Sequence, residues 1–324
     1  MAAVDDAADR TSPGLDWHGA TLTPLAGGYS GETFLVGDDP ADQVVLRVYA
    51  RDPQRCLVDA SLLRLVHGIV PVPEVVDVRR PYDDNPGLLV TTRLPGERLD
   101  QVLPEASSAL QEAIGHSCGR VLAALSGMPM LRFGVFEGED LRLGEGLPDG
   151  GLAGWVDVHR DRGPLAAWSE ADIETLRAVA SDADVLLDGG EGRESQLDVA
   201  LTRRVLVHSD VNPKNLLVDP ATGEITGLLD WEFAHAGSPY TDLGNLTRFD
   251  RQPAFVEAVT QKLVAHAPPL AANLLDLARA VDLWALIDLA AREERHVVAD
   301  LALAQLAAIA RSGDLHALPS QPSR

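Results

Sequence analysis

The sequence holds two cysteines, Cys56 and Cys118. Two thiols build no disulfide framework and supply no metal-ligand spacing, so the chain reads as a protein of the reducing cytoplasm. Aromatic residues make up 5% of a chain that is 46% hydrophobic, a composition of a soluble globular protein. No apolar run reaches the ~20 residues needed to span a bilayer. The first residues, MAAVDDAADRTSPG, lack the apolar stretch of a signal peptide and are expected to form a tail over 1–14. Basic residues are the scarce charge: 27 Lys and Arg against 49 Asp and Glu give a net charge of −22. Nucleic acid and anionic membrane surfaces are therefore excluded as natural partners. Either the acidity attracts a cationic small molecule or it serves solubility alone.

What the sequence does have is concentrated between Val205 and Trp231, VLVHSDVNPKNLLVDPATGEITGLLDW. Four polar residues interrupt this apolar run: His208, Asp210, Asn215 and Asp230. Asp210 and Asn215 share one short loop. The segment from Asp219 to Glu224 is rich in turn formers, and Ile225 to Leu229 is strand-like. A hairpin here would fold Asp230 back beside the loop. Two carboxylates and one amide would then surround a common point, a set that suits Mg²⁺ together with substrate phosphates. A carboxylate outside the metal shell could accept a proton from a hydroxyl.

These residues carry a resemblance. HSDVNPKN is similar to the kinase-type catalytic loop H-x-D-x4-N, and LLDWE is similar to the strand that presents the metal-binding Asp. With Trp-Glu after that Asp in place of Phe-Gly, the chain resembles the aminoglycoside phosphotransferase-like family. The resemblance implies an α+β, bilobal protein-kinase-like fold, with a small antiparallel-sheet N-lobe over 15–94 and a mostly helical C-lobe over 95–312. A flexible tail over 313–324 would follow. It implies Asp210 as the catalytic residue, Asn215 and Asp230 as Mg²⁺ ligands, and His208 as a structural hydrogen-bonder. Asp242, in SPYTDLG, would brace the catalytic loop. Lys214 either helps neutralise the γ-phosphate or is a solvated lysine.

The same family needs a nucleotide site upstream. Leu22 to Val36 reads as strand, glycine-rich turn, strand, and Gly28, Ser30 and Gly31 would approach the phosphates unless the turn is a plain hairpin. Its glycines depart from G-x-G-x-x-G. Arg47, in the β-rich QVVLRVY, occupies by resemblance the strand position of the kinase lysine; otherwise it is an exposed strand arginine. Asp59, on a predicted helix from Arg55 to His67, stands where the family has Glu, so the sequence predicts an Arg47–Asp59 ion pair. Thr92 and Leu94 fall at the hinge, where main-chain groups would bind the purine of ATP or GTP.

Apolar spacing predicts a core helix over 103–125 and a capped helix starting at Ser169. The glycine-rich stretch from Met128 to Gly154 either lines the substrate cleft or is a solvated loop. Three helices close the chain, near 253–267, 274–295 and 298–310. Trp155, Asp157, Glu232, Trp284 and Asp288 are candidate acceptor residues; for Trp284 and Asp288 the alternative is a core aromatic and a surface acid.

The expected function is an ATP- or GTP-dependent O-phosphotransferase acting on a hydroxyl of a small molecule, an antibiotic of aminoglycoside, macrolide, peptide or nucleoside type, which would give resistance. A metabolic small-molecule kinase of choline, homoserine, amino-sugar or fructosamine type is the alternative, and a non-catalytic nucleotide-binding pseudokinase the third. The enzyme would be a monomer or homodimer.

Overall fold

The computed structural model describes residues 21–25, 32–39, 42–145, 150–188, 203–294 and 296–319. The fold is α+β and divides into two compact units. One comprises Met1–His67, Pro73–Leu94 and Gly138–Leu141; the other comprises Gly68–Val72, Pro95–Glu137 and Arg142–Arg324.

The first unit is built on a five-stranded antiparallel sheet. Its strands are β1 (Leu22–Pro24), β2 (Glu32–Val36), β3 (Val44–Tyr49), β4 (Val75–Arg79) and β5 (Gly87–Thr92), in the order β1-β2-β3-β5-β4. Alternation along β3 decides what each face carries. Leu46 and Val48 join Val36, Leu88 and Val90 in a small apolar core. Arg47 and Tyr49 point to the opposite face, where helix α1 (Arg55–Val66) packs. That helix buries Cys56, Leu57, Leu62 and Val66.

The second unit carries two further sheets. The short strands are β6 (Glu97–Arg98), β7 (Pro129–Met130), β8 (Gly134–Glu137), β9 (Arg142–Leu143), β10 (Arg204–Val207), β11 (Leu216–Val218), β12 (Ile225–Leu228) and β13 (His235–Gly237). They assemble as β7-β10-β13-β8-β9 and β12-β11-β6. The stretch expected as an insertion or loop over Met128–Gly154 thus contains three strands among its described residues. Pairing to β10 and β13, far away in sequence, orders it. The predicted hairpin is present: β11 and β12 pair antiparallel around the turn 219–224.

Helices supply the rest: α2 (Leu99–Val102), α3 (Ser108–Ser126), α4 (Gly151–His159), α5 (Glu170–Leu187), α6 (Thr241–Leu246), α7 (Pro253–His266), α8 (Leu274–Ala290) and α9 (Val297–Ser312). The Ser169 side chain accepts the Asp172 N–H, as its capping pattern predicts. Helix α3 packs on α7 through Gly115 and Gly119. A Cβ at Gly119 would stand 2.5 Å from the Val259 carbonyl oxygen, so only glycine permits this backbone approach. Helices α4, α5, α8 and α9 enclose a core of Leu152, Val156, Leu176, Leu283, Leu286 and Leu306. Past α9, where a tail is expected from 313, His316 is held by Arg251 through its carbonyl (2.7 Å) and by Asp276 through its ring (2.8 Å). No helix among the described residues is long and apolar enough to cross a membrane.

Candidate active site

Strand β10 is fully buried through Val205, Leu206 and Val207, and it delivers His208 to the start of the loop. His208 is itself 0% exposed. Its Nε2 lies 3.0 Å from the Leu229 carbonyl oxygen, which fixes the proton there. Nδ1 is then an acceptor for the Asp210 N–H, 3.2 Å away. The ring meets Trp231 edge-on, with centroids 4.7 Å apart. Burial pushes the imidazole down to about 4, so His208 is neutral at physiological pH. A neutral ring with both nitrogens engaged is a brace that ties the loop to the strand before Asp230.

Asp242, on α6, holds the same loop from the other side. Its Oδ2 accepts the His208 N–H (3.0 Å) and its Oδ1 accepts the Ser209 N–H (2.7 Å). Ser209 has φ 65, the left-handed region that non-glycine residues rarely occupy. The two hydrogen bonds stabilise that conformation, which turns the chain so that Asp210 follows. Complete burial pushes the Asp242 carboxyl up to about 6 in spite of the two donors.

Asp210 is half-buried. Its Oδ1 accepts from Asn212 Nδ2 and its Oδ2 from Asn215 Nδ2, both at 2.7 Å. Asn215 Nδ2 also donates to the Asp210 carbonyl at 3.0 Å. Each carboxylate oxygen is therefore oriented yet keeps a lone pair. Burial raises the carboxyl pKa, and Asp230 nearby adds to the rise; Lys214 and the Asn212 hydrogen bond oppose it. Asn212 is a site residue that sequence inspection missed. Its signal was legible: an Asn before Pro213 caps the short 3-10 turn Pro213–Asn215 by accepting the Lys214 N–H.

Asn215 is 6% exposed. Because Nδ2 serves Asp210, Oδ1 is the side-chain atom left to ligate a metal, and it accepts no hydrogen bond among the described residues. Asp230 follows β12 at φ 67 and ψ 70, again left-handed. The hairpin brings it back toward the loop: the Leu229 N–H donates to the Asn215 carbonyl at 2.9 Å. An amide oxygen and a carboxylate form a hard oxygen pair, which fits Mg²⁺ when substrate phosphates complete its shell. Lys214 is exposed on the loop.

In the first unit the predicted Arg47–Asp59 pair is not formed. Asp59, 3% exposed, gives Oδ2 to the Tyr49 hydroxyl and Oδ1 to Arg55 Nε, both at 2.7 Å. Tyr49 is two residues from Arg47 and shares its strand face, so it stands where the pair would close. Arg47 instead lies over the Tyr49 ring, 5.1 Å from its centroid. Thr92 is tied to Glu74 through both its N–H (3.0 Å) and its hydroxyl (2.9 Å). Leu94 is half-buried just beyond β5. Gly28, Ser30 and Gly31 lie outside the described residues.

The acceptor candidates separate into two places. Glu232 sits in the 3-10 turn Trp231–Phe233, directly after Asp230. Trp155 and Trp284 meet at 5.0 Å between α4 and α8, and Trp155 Nε1 donates to the Trp284 carbonyl at 3.0 Å. Both rings pack against the helical core. Asp157 is paired with Arg177 (3.1 Å) and Asp288 with Arg292 (2.9 Å).

Over residues 21–272 the chain matches the family model described as "Phosphotransferase enzyme family". It is similar to an aminoglycoside 3'-phosphotransferase of Streptomyces fradiae, with 24% identity over 275 residues, 80% of this chain and 91% of that protein. Its fold matches a thermostable mutant of aminoglycoside phosphotransferase APH(4)-Ia in ternary complex with AMP-PNP and hygromycin B. That match has a TM-score of 0.60 at 20% identity and covers 92% of this chain and 96% of that one. The GDP and kanamycin complex of APH(2")-IIIa matches with a TM-score of 0.61 at 16% identity, covering 91% and 94%. At these identities the structural likeness establishes the fold alone.

Proposed function

The chain belongs to the Phosphotransferase enzyme family, and from that premise we propose that it moves the γ-phosphate of ATP or GTP onto a hydroxyl of a small molecule, with Asp210 receiving the proton. The observation that supports this most is the Asp210 carboxylate itself. It is oriented by two side-chain amides, raised in basicity by burial, and set on a loop braced by His208 and Asp242.

The chemistry asks little covalent work of the protein. The acceptor oxygen attacks the γ-phosphorus as the bond to the β–γ bridging oxygen breaks, and the hydroxyl proton passes to Asp210. A base of raised pKa performs that transfer more readily than an ordinary aspartate. Asn215 Oδ1 and the Asp230 carboxylate are the groups that would hold Mg²⁺. When bound, the ion neutralises charge on the nucleotide phosphates. Arg47 would counter the α- and β-phosphate oxygens, and Lys214 the γ-phosphate. Tyr49 and Asp59 then act by fixing the face on which Arg47 lies, rather than by pairing with it.

For the acceptor we favour an aminoglycoside-type antibiotic, so that the enzyme confers resistance. Two things support this: the relatives named for aminoglycosides or bound to hygromycin B and kanamycin, and a net charge of −22 that attracts polycations. Glu232, two residues after Asp230, is the acidic residue we assign to meeting an amino group. The tryptophan pair of α4 and α8 contributes as packed wall, since Asp157 and Asp288 already hold arginines.

The test is phosphate transfer from labelled ATP and GTP to a panel of aminoglycosides, macrolides, choline, homoserine, amino sugars and fructosamines, with product mass analysis. A gain of one phosphoryl group on an aminoglycoside supports the reading. Transfer confined to the metabolites would move the enzyme to metabolism, and no transfer to any member would refute it.

A further inference from the structure

Arg279 lies in the middle of α8 and is 5% exposed. Its Nε and Nη1 are shut off from solvent, and neither has a hydrogen-bond partner among the described residues. A guanidinium does not shed its proton near neutral pH. Burial and two neighbouring arginines push Arg279 down to about 10, which still leaves it charged.

Those neighbours are Arg248 and Arg251. Asp282 is the carboxylate that faces all three, but its hydrogen bonds go to Arg248 and Asn245 and none to Arg279. Its Oδ1 accepts from Arg248 Nη2 (2.7 Å) and Asn245 Nδ2 (2.9 Å), and its Oδ2 from Arg248 Nε (2.8 Å). Arg251 is spent on neutral acceptors, the carbonyls of Thr247, Arg248 and His316. Nearby, Asp276 is taken by the His316 ring, and Asp314 accepts the His316 N–H at 2.8 Å. Asp282 pairs with Arg248 and Asp314 also faces Arg251, so Arg279 is the guanidinium of the three left with buried N–H groups that have no hydrogen-bond partner among the described residues. A water molecule could satisfy the Arg279 N–H groups, but it would leave the charge. An uncompensated buried charge is strongly destabilising.

We propose that Arg279, with Arg248 and Arg251, forms a buried site for a small monovalent anion, a halide or a carboxylate, between α8, α9 and the turn that follows α9. The anion supplies the negative partner that no described residue brings to Arg279 Nε and Nη1. It acts as a structural ligand of the helical unit and takes no part in the phosphoryl transfer.

The experiment uses the full chain with sulfate, a divalent anion outside the proposed class, holding the ionic strength constant, titrated in separate arms with bromide and with formate while thermal unfolding is followed. One of the two should raise the unfolding temperature saturably, by about 2–5 °C, and the arm that does so identifies the anion as halide or carboxylate. R279M, which keeps the bulk and removes the charge, should flatten the response, whereas R279K should retain part of it. Crystals of the wild-type protein soaked in bromide or formate decide the matter even if R279M does not fold. The expected result is the stabilising anion against the Arg279 guanidinium, a bromide being recognised by its anomalous signal. The proposal is overturned if only water occupies that position with both anions, or if wild type and R279M respond alike to both.

Discussion

Asp242→Asn separates two buried titrations that mask each other in the wild-type protein. Asp242 is pushed up to about 6 by burial, against an ordinary value of 3.8. A carboxyl raised on folding binds its proton more tightly in the folded state. Its stabilising contribution is therefore complete below the unfolded value and is lost as pH rises through about 6. Between about pH 4.5 and about pH 7.5 that loss amounts to about 2 kcal/mol. His208 runs the other way: lowered from 6.5 to about 4 by burial, its contribution is present above the unfolded value and disappears as pH falls. The two slopes largely cancel in wild type, so the difference between wild type and variant is the informative quantity. In the variant one amide oxygen can serve only one of the His208 and Ser209 N–H groups, and the amide nitrogen opposes the other. That leaves a buried donor unmet and costs about 1–3 kcal/mol at about pH 7.5. The gap should widen by about 2 kcal/mol at about pH 4.5, where wild type regains the protonated carboxyl. Urea unfolding followed by tryptophan fluorescence measures both gaps, with Trp231 beside His208 as a local reporter. A gap that stays constant or narrows toward low pH would refute the assignment of a raised Asp242.

Three other outcomes follow from the same geometry. Arg47→Ala should raise the nucleotide KM about tenfold or more, because it removes the cation proposed for the α- and β-phosphates; an unchanged KM contradicts that role. The wild-type kcat should rise with pH through a midpoint above 3.8, since burial raises Asp210, and should show no inflection from His208 near 6.5. Gly119→Ala should destabilise the protein by about 1–3 kcal/mol in urea unfolding, because its Cβ would meet the Val259 carbonyl oxygen at 2.5 Å and Lys262 Cβ at 2.7 Å.

What could be read from sequence follows the range of the interactions. The Asp210–Asn215 hydrogen bonds close over five residues, and the β11–β12 hairpin is bounded by its own turn formers, so local spacing sufficed. Asp242 lies 34 residues from the backbone it holds and was accessible only through the family resemblance. Asp59 shows the opposite failure. Its actual partner Arg55 is four residues earlier on the same helix, a spacing that sequence does reveal. The kinase analogy drew attention to Arg47 instead, and gave no warning that Tyr49 would take the second oxygen. Strands β7 and β8 have partners in β10 and β13, so no local pattern announces them. Arg279 is equally silent in sequence, because an arginine in a helix is ordinarily solvated and only packing shows this one to be enclosed.

The central claim is that Asp210 receives the acceptor's proton, and Asp210→Asn tests it most directly. The asparagine keeps the size of the side chain and the loop's bracing by His208 and Asp242, and removes the base. Single-turnover phosphoryl transfer to the identified acceptor should fall by about 10²–10⁴-fold. The Kd of the magnesium nucleotide, measured on the same preparation by calorimetry, should stay within about threefold, because phosphate contacts are assigned to other residues. Transfer at the wild-type rate with binding intact would contradict the account.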